Sequence, residues 1–159
     1  MDAVKDALEE LPHRIADEVE RAGITVGLAE SLTCGNLTGA LGKGGNSGEW
    51  LSGGIVAYQT EIKQAVLGVG EGPVVSARCA EEMAAGAAEL FNSDLAISTT
   101  GAGGPGPLEG QPAGTVFIGW SLFGEAGSAQ YSFDGEPAEV LEKTEAAALR
   151  KLYELAQKA

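Results

Sequence analysis

Residues 24–41 read ITVGLAESLTCGNLTGAL, an apolar run that ends at Glu30-Ser31 and continues into a segment with helical spacing. This pattern predicts a buried strand over about 24–29, a turn at Ser31 and a short helix after the turn. A serine at such a junction has two interpretations. It is a helix N-cap, where serine is common, or it is a nucleophile that stands clear of the sheet beside the unpaired N–H groups of the helix.

The rest of the chain shows helices and strands that alternate at first and strands that pair later. The predicted helices cover an amphipathic N-terminal segment with Val4, Leu8, Leu11, Ile15 and Val19, then 59–67, then 77–91 behind the cap Ser76, and finally 136–157 with Leu141 and Leu152 on the inner side. Further strands are predicted over about 50–58, 93–99, 114–122 and 128–133, with a loop at 42–48 and a hairpin turn at 123–127. This order predicts an α/β fold, a three-layer α/β/α sandwich with a mixed parallel and antiparallel sheet.

Length and charge limit the classes of protein to consider. With 159 residues, 44% of them hydrophobic, the chain is long enough for one packed core, and we expect a single domain over residues 1–159. Ten basic residues against 23 acidic ones give a formal net charge of −13. That balance repels phosphates, so no nucleic acid or membrane partner is expected, and it also fits a halophilic source.

Few residues are available for disulfides or metal ligands. Cys34 and Cys79 are too few for a disulfide framework, and His13 is the single histidine, so no metal site and no cofactor are expected. No signal peptide opens the chain, and no apolar run approaches the roughly 20 residues that span a bilayer. A cytoplasmic protein is the expectation.

Three further blocks carry a family resemblance. They are Gly53–Lys63 (GGIVAYQTEIK), Thr99–Gly106 (TTGAGGPG) and Pro112–Val116 (PAGTV). Together with Ala29-Glu30-Ser31 they resemble the patterns A-E-S-C-T-G-G, G-G-x-x-x-Y-S-N-x-x-K, T-G-x-A-G-P-G-G and P-x-G-T-V of the CinA C-terminal domain family, in order and in spacing, from about Leu11 onward. The chain is similar to the stand-alone form of that domain.

The resemblance implies an activity and a partner. Members of the family include nicotinamide-nucleotide amidases, which release ammonia from nicotinamide mononucleotide and leave nicotinate mononucleotide. The expected ligand is therefore a small-molecule nucleotide, and the expected assembly is a homo-oligomer.

Hydrolysis of a carboxamide needs a nucleophile, a base, an acid for the departing ammonia and donors for the oxyanion. His13 lies on the predicted first helix, so a Ser-His-Asp arrangement is not expected and a lysine is the most accessible base. The resemblance marks Ser31 as nucleophile and Lys63 as base, with Tyr58 orienting Lys63 or assisting proton transfer. Without the resemblance, Lys63 reads as an exposed helix lysine and Tyr58 equally well as strand-end packing.

A nucleotide substrate also needs groups that bind its phosphate. The candidates are backbone N–H groups after the serine and in the later glycine-rich loop, with one threonine hydroxyl, which gives as predicted binding residues Thr33, Cys34, Gly35, Thr100, Gly101 and Gly104.

Four positions depart from the family patterns. Leu32 stands in place of cysteine and Cys34 in place of glycine, while Pro137 and Leu141 stand where G-D-R-x-x-V-R has its two arginines. These departures leave two alternatives open. One is a weak or inactive relative that acts as a nucleotide-binding or interaction protein, and the other is an amidase for a different, non-phosphorylated amide.

Overall fold

One mixed sheet of five strands organises the computed structural model of the protein, which describes residues 2–159. The strands are β1 (Val26–Glu30), β2 (Leu51–Val56), β3 (Leu95–Gly101), β4 (Thr115–Leu122) and β5 (Glu125–Ser132), in the spatial order β2-β1-β3-β4-β5. β1 pairs in parallel with β2 and β3, whereas the β3–β4 and β4–β5 pairs are antiparallel. Every residue of β1 is buried because this strand has a neighbour on both edges and helices on both faces.

Six helices cover the two faces of the sheet: α1 (Ala3–Ala22), α2 (Asn36–Gly42), α3 (Ser47–Trp50), α4 (Thr60–Leu67), α5 (Ala77–Phe91) and α6 (Pro137–Lys158). On one face, α1 and α6 pack together over a core that includes Ile15, Leu28 and Leu149. On the other face, α4 and α5 enclose a smaller core around Met83 and Ala29. The predicted three-layer α/β/α sandwich with a mixed sheet is confirmed.

Two predicted boundaries are wrong, each for a local reason. The predicted loop 42–48 and strand 50–58 overlap a short helix, α3, which ends at Trp50. The indole N–H of Trp50 donates to the Gly45 carbonyl at 3.0 Å. The predicted turn 123–127 is only two residues long. Phe123 and Gly124 both have positive φ, 49° and 86°, as a tight hairpin turn requires, and β5 therefore begins at Glu125.

The contact between α4 and α5 fixes the position of Lys63. A Cβ on Gly86, in α5, would overlap the backbone carbonyl of Leu67 at the end of α4. Only glycine therefore allows the two helices to approach this closely. The Lys63 carbonyl accepts a hydrogen bond from Val69 N at 3.2 Å just beyond that point, so the same packing holds the turn that carries the lysine.

We predict that Gly86→Ala lowers the free energy of unfolding by about 1–3 kcal/mol, because the added methyl group forces α4 away from α5. Gly39, in the exposed middle of α2, is the matched control, since a Cβ there meets nothing within 4 Å. Gly39→Ala is expected to raise stability by about 0.5–1 kcal/mol through helix propensity alone. Urea denaturation of both variants checks the signs, and a stabilising Gly86→Ala would contradict the close packing.

Candidate active site

The carboxyl ends of the three parallel strands meet at one edge of the sheet, where open α/β sheets commonly bind ligands. Ser31 follows β1, Tyr58 lies two residues after β2, and β3 ends at Gly101. The strand ends are joined directly, since Ala57 N donates to the Glu30 carbonyl at 2.8 Å. This topology brings together segments that are far apart in the sequence.

A buried contact joins Ser31 to Lys63. The Lys63 Nζ lies 3.1 Å from Ser31 Oγ, and the two residues are 2% and 8% exposed. The lysine is therefore not the exposed helix residue that its sequence context alone suggests. Burial lowers the pKa of the Lys63 amine below the usual lysine value, and the nearby Cys79 and Glu109 oppose that shift in part. A buried amine with a lowered pKa is the form of lysine that can accept a proton.

Tyr58 contacts the lysine through its backbone. Lys63 Nζ donates to the Tyr58 carbonyl oxygen at 2.9 Å, while the Tyr58 side chain is 61% exposed. With one N–H held by this carbonyl, the amine, when it is neutral, can turn its lone pair toward the Ser31 hydroxyl. Of the two roles predicted for Tyr58, the contacts support orientation of Lys63, and they assign it to the carbonyl and not to the phenol.

Glu30 anchors the turn that carries the serine, a role that the sequence-based prediction missed. Its side chain is fully buried, and its carboxylate accepts hydrogen bonds from Thr33 Oγ1 at 2.7 Å, Leu37 N at 3.0 Å, Thr38 N at 2.9 Å and Thr38 Oγ1 at 2.7 Å. Four donors satisfy a carboxylate that would otherwise be costly to bury. The available signal was a glutamate at the end of a strand that is otherwise apolar.

Thr99, on β3, completes the support of the turn. Its hydroxyl accepts from Ser31 N at 3.3 Å and lies 2.9 Å from Thr33 Oγ1. The turn is therefore tied both to the start of α2, through Glu30, and to the neighbouring strand. These bonds fix the backbone from which the Ser31 hydroxyl projects.

A cavity of about 710 Å³ opens beside the Ser31–Lys63 pair. Its size falls within the range of small-molecule sites. Of the predicted binding residues, Thr100, Gly101 and Gly104 line this cavity, and the hydroxyl of Thr100 donates to the Val74 carbonyl at 2.7 Å. The structure thus places the glycine-rich loop next to the serine, as the sequence blocks suggested.

The other three predicted binding residues lie outside the cavity lining. Thr33 is fully buried and hydrogen-bonded to Glu30. Cys34 is exposed, with φ 52°, and Gly35 is the N-cap that precedes α2, with φ 95°. Cys34 is not among the residues that line the cavity, so its side chain does not narrow it. Their role in holding substrate stays a prediction.

Two further groups shape the cavity and were not predicted as site residues. Glu109, at φ 54°, lines the cavity and accepts hydrogen bonds from Val74 N at 2.9 Å and Val75 N at 2.6 Å. It thereby fastens the long loop between β3 and β4 to the segment that precedes α5. Pro137 and Leu141, the two positions that depart from arginine, lie on the cavity wall at the start of α6.

Residues 2–159 contain no group of three or more His, Cys, Asp or Glu side chains placed to hold a metal ion. Within the same residues, no helix is both long enough and apolar enough to cross a membrane.

The fold and the site together define the class: an α/β/α sandwich with a buried serine–lysine pair at the carboxyl edge of its parallel strands. The model of the CinA C-terminal domain matches residues 8–156, and this chain belongs to that family. A putative competence-damage inducible protein from Listeria innocua is 39% identical over 119 residues, which cover 72% of this chain and 29% of that relative. Another from Bacillus velezensis is 41% identical over 118 residues, 71% of this chain and 28% of that one.

Solved structures of the superfamily superpose over nearly the whole chain. A CinA superfamily protein from Klebsiella pneumoniae has a TM-score of 0.91 at 31% identity, covering 96% of this chain and 99% of that one. One from Escherichia coli has a TM-score of 0.91 at 32% identity, with 96% and 92% covered. The chain spans less than a third of the length of the two curated relatives above.

We predict that Glu30→Gln lowers the free energy of unfolding by about 1.5–3 kcal/mol, because an amide NH₂ then faces groups that donate to the carboxylate. Glu9→Gln, at an exposed position of α1, is the control and is expected to change stability by less than about 0.5 kcal/mol. Chemical denaturation of the two variants measures the difference. Equal stabilities would show that the buried carboxylate does not hold the turn.

Proposed function

We propose that this protein is a serine–lysine amidohydrolase that releases ammonia from the carboxamide of a nicotinamide nucleotide. The observation that carries the proposal is the 3.1 Å contact between Lys63 Nζ and Ser31 Oγ, both buried beside a cavity. The resemblance of the sequence blocks to the family suggests that the amide hydrolysed is the nicotinamide carboxamide. Nicotinamide mononucleotide is therefore the reference substrate.

The first half of the reaction forms an ester on Ser31. The neutral Lys63 amine takes the hydroxyl proton while Ser31 Oγ bonds to the carboxamide carbon, giving a tetrahedral oxyanion. When this intermediate collapses, the carbon–nitrogen bond breaks, and the Lys63 ammonium returns its proton to the nitrogen, which leaves as ammonia. Lys63 thus serves first as base and then as acid, without help from a histidine.

The second half hydrolyses the ester. Water gives a proton to Lys63 as its oxygen adds to the acyl carbon, and the proton then passes to Ser31 Oγ as the carbon–oxygen bond to the serine breaks. The products are a carboxylic acid, which ionises, and the free enzyme. One lysine held at one distance from one serine is sufficient for all four proton transfers.

The oxyanion of each tetrahedral intermediate needs donors. Leu32 lines the cavity directly after Ser31, and its backbone N–H has no acceptor within residues 2–159. We assign this N–H as an oxyanion donor, since backbone donors of this kind are already fixed in place when the charge develops.

Substitution of either member of the pair is predicted to abolish activity. Ser31→Ala removes the nucleophile and Lys63→Met removes the base at similar volume, so ammonia release from nicotinamide mononucleotide should fall at least about 10³-fold in each. Lys43→Met, at an exposed lysine, is the matched control and should keep wild-type activity. Circular dichroism checks that all variants fold, and full activity in folded Ser31→Ala would refute the proposal.

The pH profile gives a second test. Because the base must be unprotonated, kcat/KM is expected to rise with pH and to level off with a midpoint below the usual lysine pKa, which burial lowers. An assay across neutral to alkaline pH, with the substrate's own stability measured in parallel, locates the midpoint. A midpoint at or above the ordinary lysine value would exclude Lys63 as the base.

The same pKa shift predicts a change in stability that needs no substrate. Between the lowered pKa of Lys63 in the folded state and its ordinary value, the unfolded chain binds more protons, so stability rises with pH across that window. In Lys63→Met this contribution is absent. The difference in unfolding free energy between wild type and variant should therefore shift in favour of wild type as pH rises, and a difference independent of pH would contradict a buried neutral amine.

A further inference from the structure

Glu109 supplies the only carboxylate in the cavity lining among residues 2–159, and no Lys or Arg nitrogen of those residues forms an ion pair with it. It lies in a tight hairpin turn, Leu108–Gln111, whose ends exchange hydrogen bonds of 3.0 Å and 2.9 Å. The two central residues, Glu109 and Gly110, have positive φ, 54° and 77°. Such a turn favours Asn, Asp or Gly at its first central position, so the turn itself does not explain a glutamate there.

The anchoring role of Glu109 needs an oxygen acceptor but not a charge. One oxygen, Oε1, accepts from both Val74 N at 2.9 Å and Val75 N at 2.6 Å, and Oε2 adds a second contact to Val74 N at 3.0 Å. The oxygen of a glutamine amide is also an acceptor with two lone pairs and would serve the same two N–H groups. The negative charge is therefore available to a ligand in the cavity.

This charge acts at the reacting end of the cavity. Burial lowers the pKa of the Lys63 amine, and Cys79 and the Glu109 carboxylate raise it in part, which places the carboxylate in the vicinity of the amine. The amine must be neutral to accept the proton of the Ser31 hydroxyl. When the enzyme is ready to react, the Glu109 carboxylate therefore has no counter-charge from the lining, and a cationic ligand would supply one.

An exposed aromatic ring lies in the same lining. The Tyr58 side chain is 61% exposed, and only its backbone carbonyl contacts the Lys63 amine. The face of a tyrosine ring attracts cations and stacks on other planar rings. Because the ring and the carbonyl belong to one residue, a group that stacks on this ring lies close to the reacting pair.

From the unpaired carboxylate and the exposed ring we infer that the reacting end of the cavity binds a cationic heteroaromatic ring, with Glu109 as its counter-charge and the Tyr58 ring as its stacking surface. This inference rests on the proposed function and specifies how the same site recognises its substrate. In nicotinamide mononucleotide one ring carries both the carboxamide and the positively charged nitrogen. A carboxamide placed at Ser31 therefore brings the ring charge to this end of the cavity.

The phosphate of such a nucleotide has separate donors in the lining. Gly103, Gly104 and Gly106 line the cavity, and their N–H groups donate to no backbone acceptor within residues 2–159. Neighbouring free N–H groups of this kind form common binding sites for anions. The lining thus offers a negative charge to the ring and N–H donors to the phosphate, which matches a ligand that carries both charges.

The test compares two ligands that differ in ring charge, nicotinamide mononucleotide and its reduced dihydropyridine form. Ser31→Ala in the full chain prevents turnover by the proposed mechanism, so calorimetry measures the affinity for each ligand without reaction. Glu109→Gln in this background keeps the Oε1 acceptor and removes the charge. The ratio of affinities, oxidised to reduced, is expected to fall at least about threefold in Glu109→Gln, as for an ion pair at a solvent-accessible site.

Glu71→Gln in the same background is the matched control, because it removes an exposed carboxylate that does not line the cavity. It should leave the ratio of affinities unchanged. Differences in shape between the two rings are the same in every variant and cancel when the ratios are compared. A smaller fall than threefold in folded Glu109→Gln, or an equal fall in both variants, would overturn the role of Glu109.

A pair of variants at Tyr58 tests the ring site without altering the loop that carries Glu109. Tyr58→Phe keeps the aromatic face and should keep the ratio of affinities, whereas Tyr58→Leu removes the face and should lower the ratio about threefold, as expected for a cation–π contact. Circular dichroism checks that both variants fold. Equal ratios in the two variants would overturn stacking on Tyr58.

Ammonia release distinguishes failure of this inference from failure of the proposed function. Its absence in the wild-type chain refutes the hydrolase, while the affinities, which need no turnover, still decide whether a cationic ring is bound. Serine-dependent ammonia release together with unchanged ratios leaves the hydrolase in place and overturns the ring site alone. Absence of binding for both ligands also contradicts the ring site.

Discussion

The site depends on a lysine amine that is held away from water between a strand end and a helix. An isolated ammonium in such a position is strongly destabilising, and the usual response is a lowered pKa that leaves the amine neutral. Burial lowers the pKa of the Lys63 amine in this way, and its two polar neighbours are a carbonyl that accepts one N–H and the Ser31 hydroxyl. The same burial that makes the lysine costly to the fold makes it a base.

A second buried ionisable group, Glu30, adjoins Ser31 in the chain and is stabilised by hydrogen bonds from four donors. Its four hydrogen bonds come from one short segment, Thr33–Thr38, so the carboxylate fixes the turn and the start of α2 together. These bonds fix the backbone at Ser31. The close packing of α5 at Gly86 against the end of α4 fixes the helix that carries Lys63. A distance of 3.1 Å between side chains 32 positions apart is set by these two supports and not by the pair itself.

The sequence predicted the layers, the mixed sheet and most elements to within a few residues, because periodicity and chain order carry that information. It also named Ser31, Lys63 and the loop at Gly101 and Gly104, but through resemblance, since no local pattern reveals which residues a parallel sheet brings to one edge. What it missed depends on tertiary contacts. Glu30 and Glu109 are ordinary acids in sequence and become anchors only because backbone N–H groups converge on them. Thr33, Cys34 and Gly35 follow the serine in the chain yet do not line the cavity.

The reacting pair and the α6 end of the cavity belong to different parts of the fold. Ser31 and Lys63 are positioned by β1, by α4 and by the contact of α4 with α5, all of which precede β3 in the chain. Pro137 and Leu141 lie on α6, the last helix, whose inner residues pack against α1 and the opposite face of the sheet. The reacting pair and the α6 end of the cavity are therefore supported by the cores on opposite faces of the sheet.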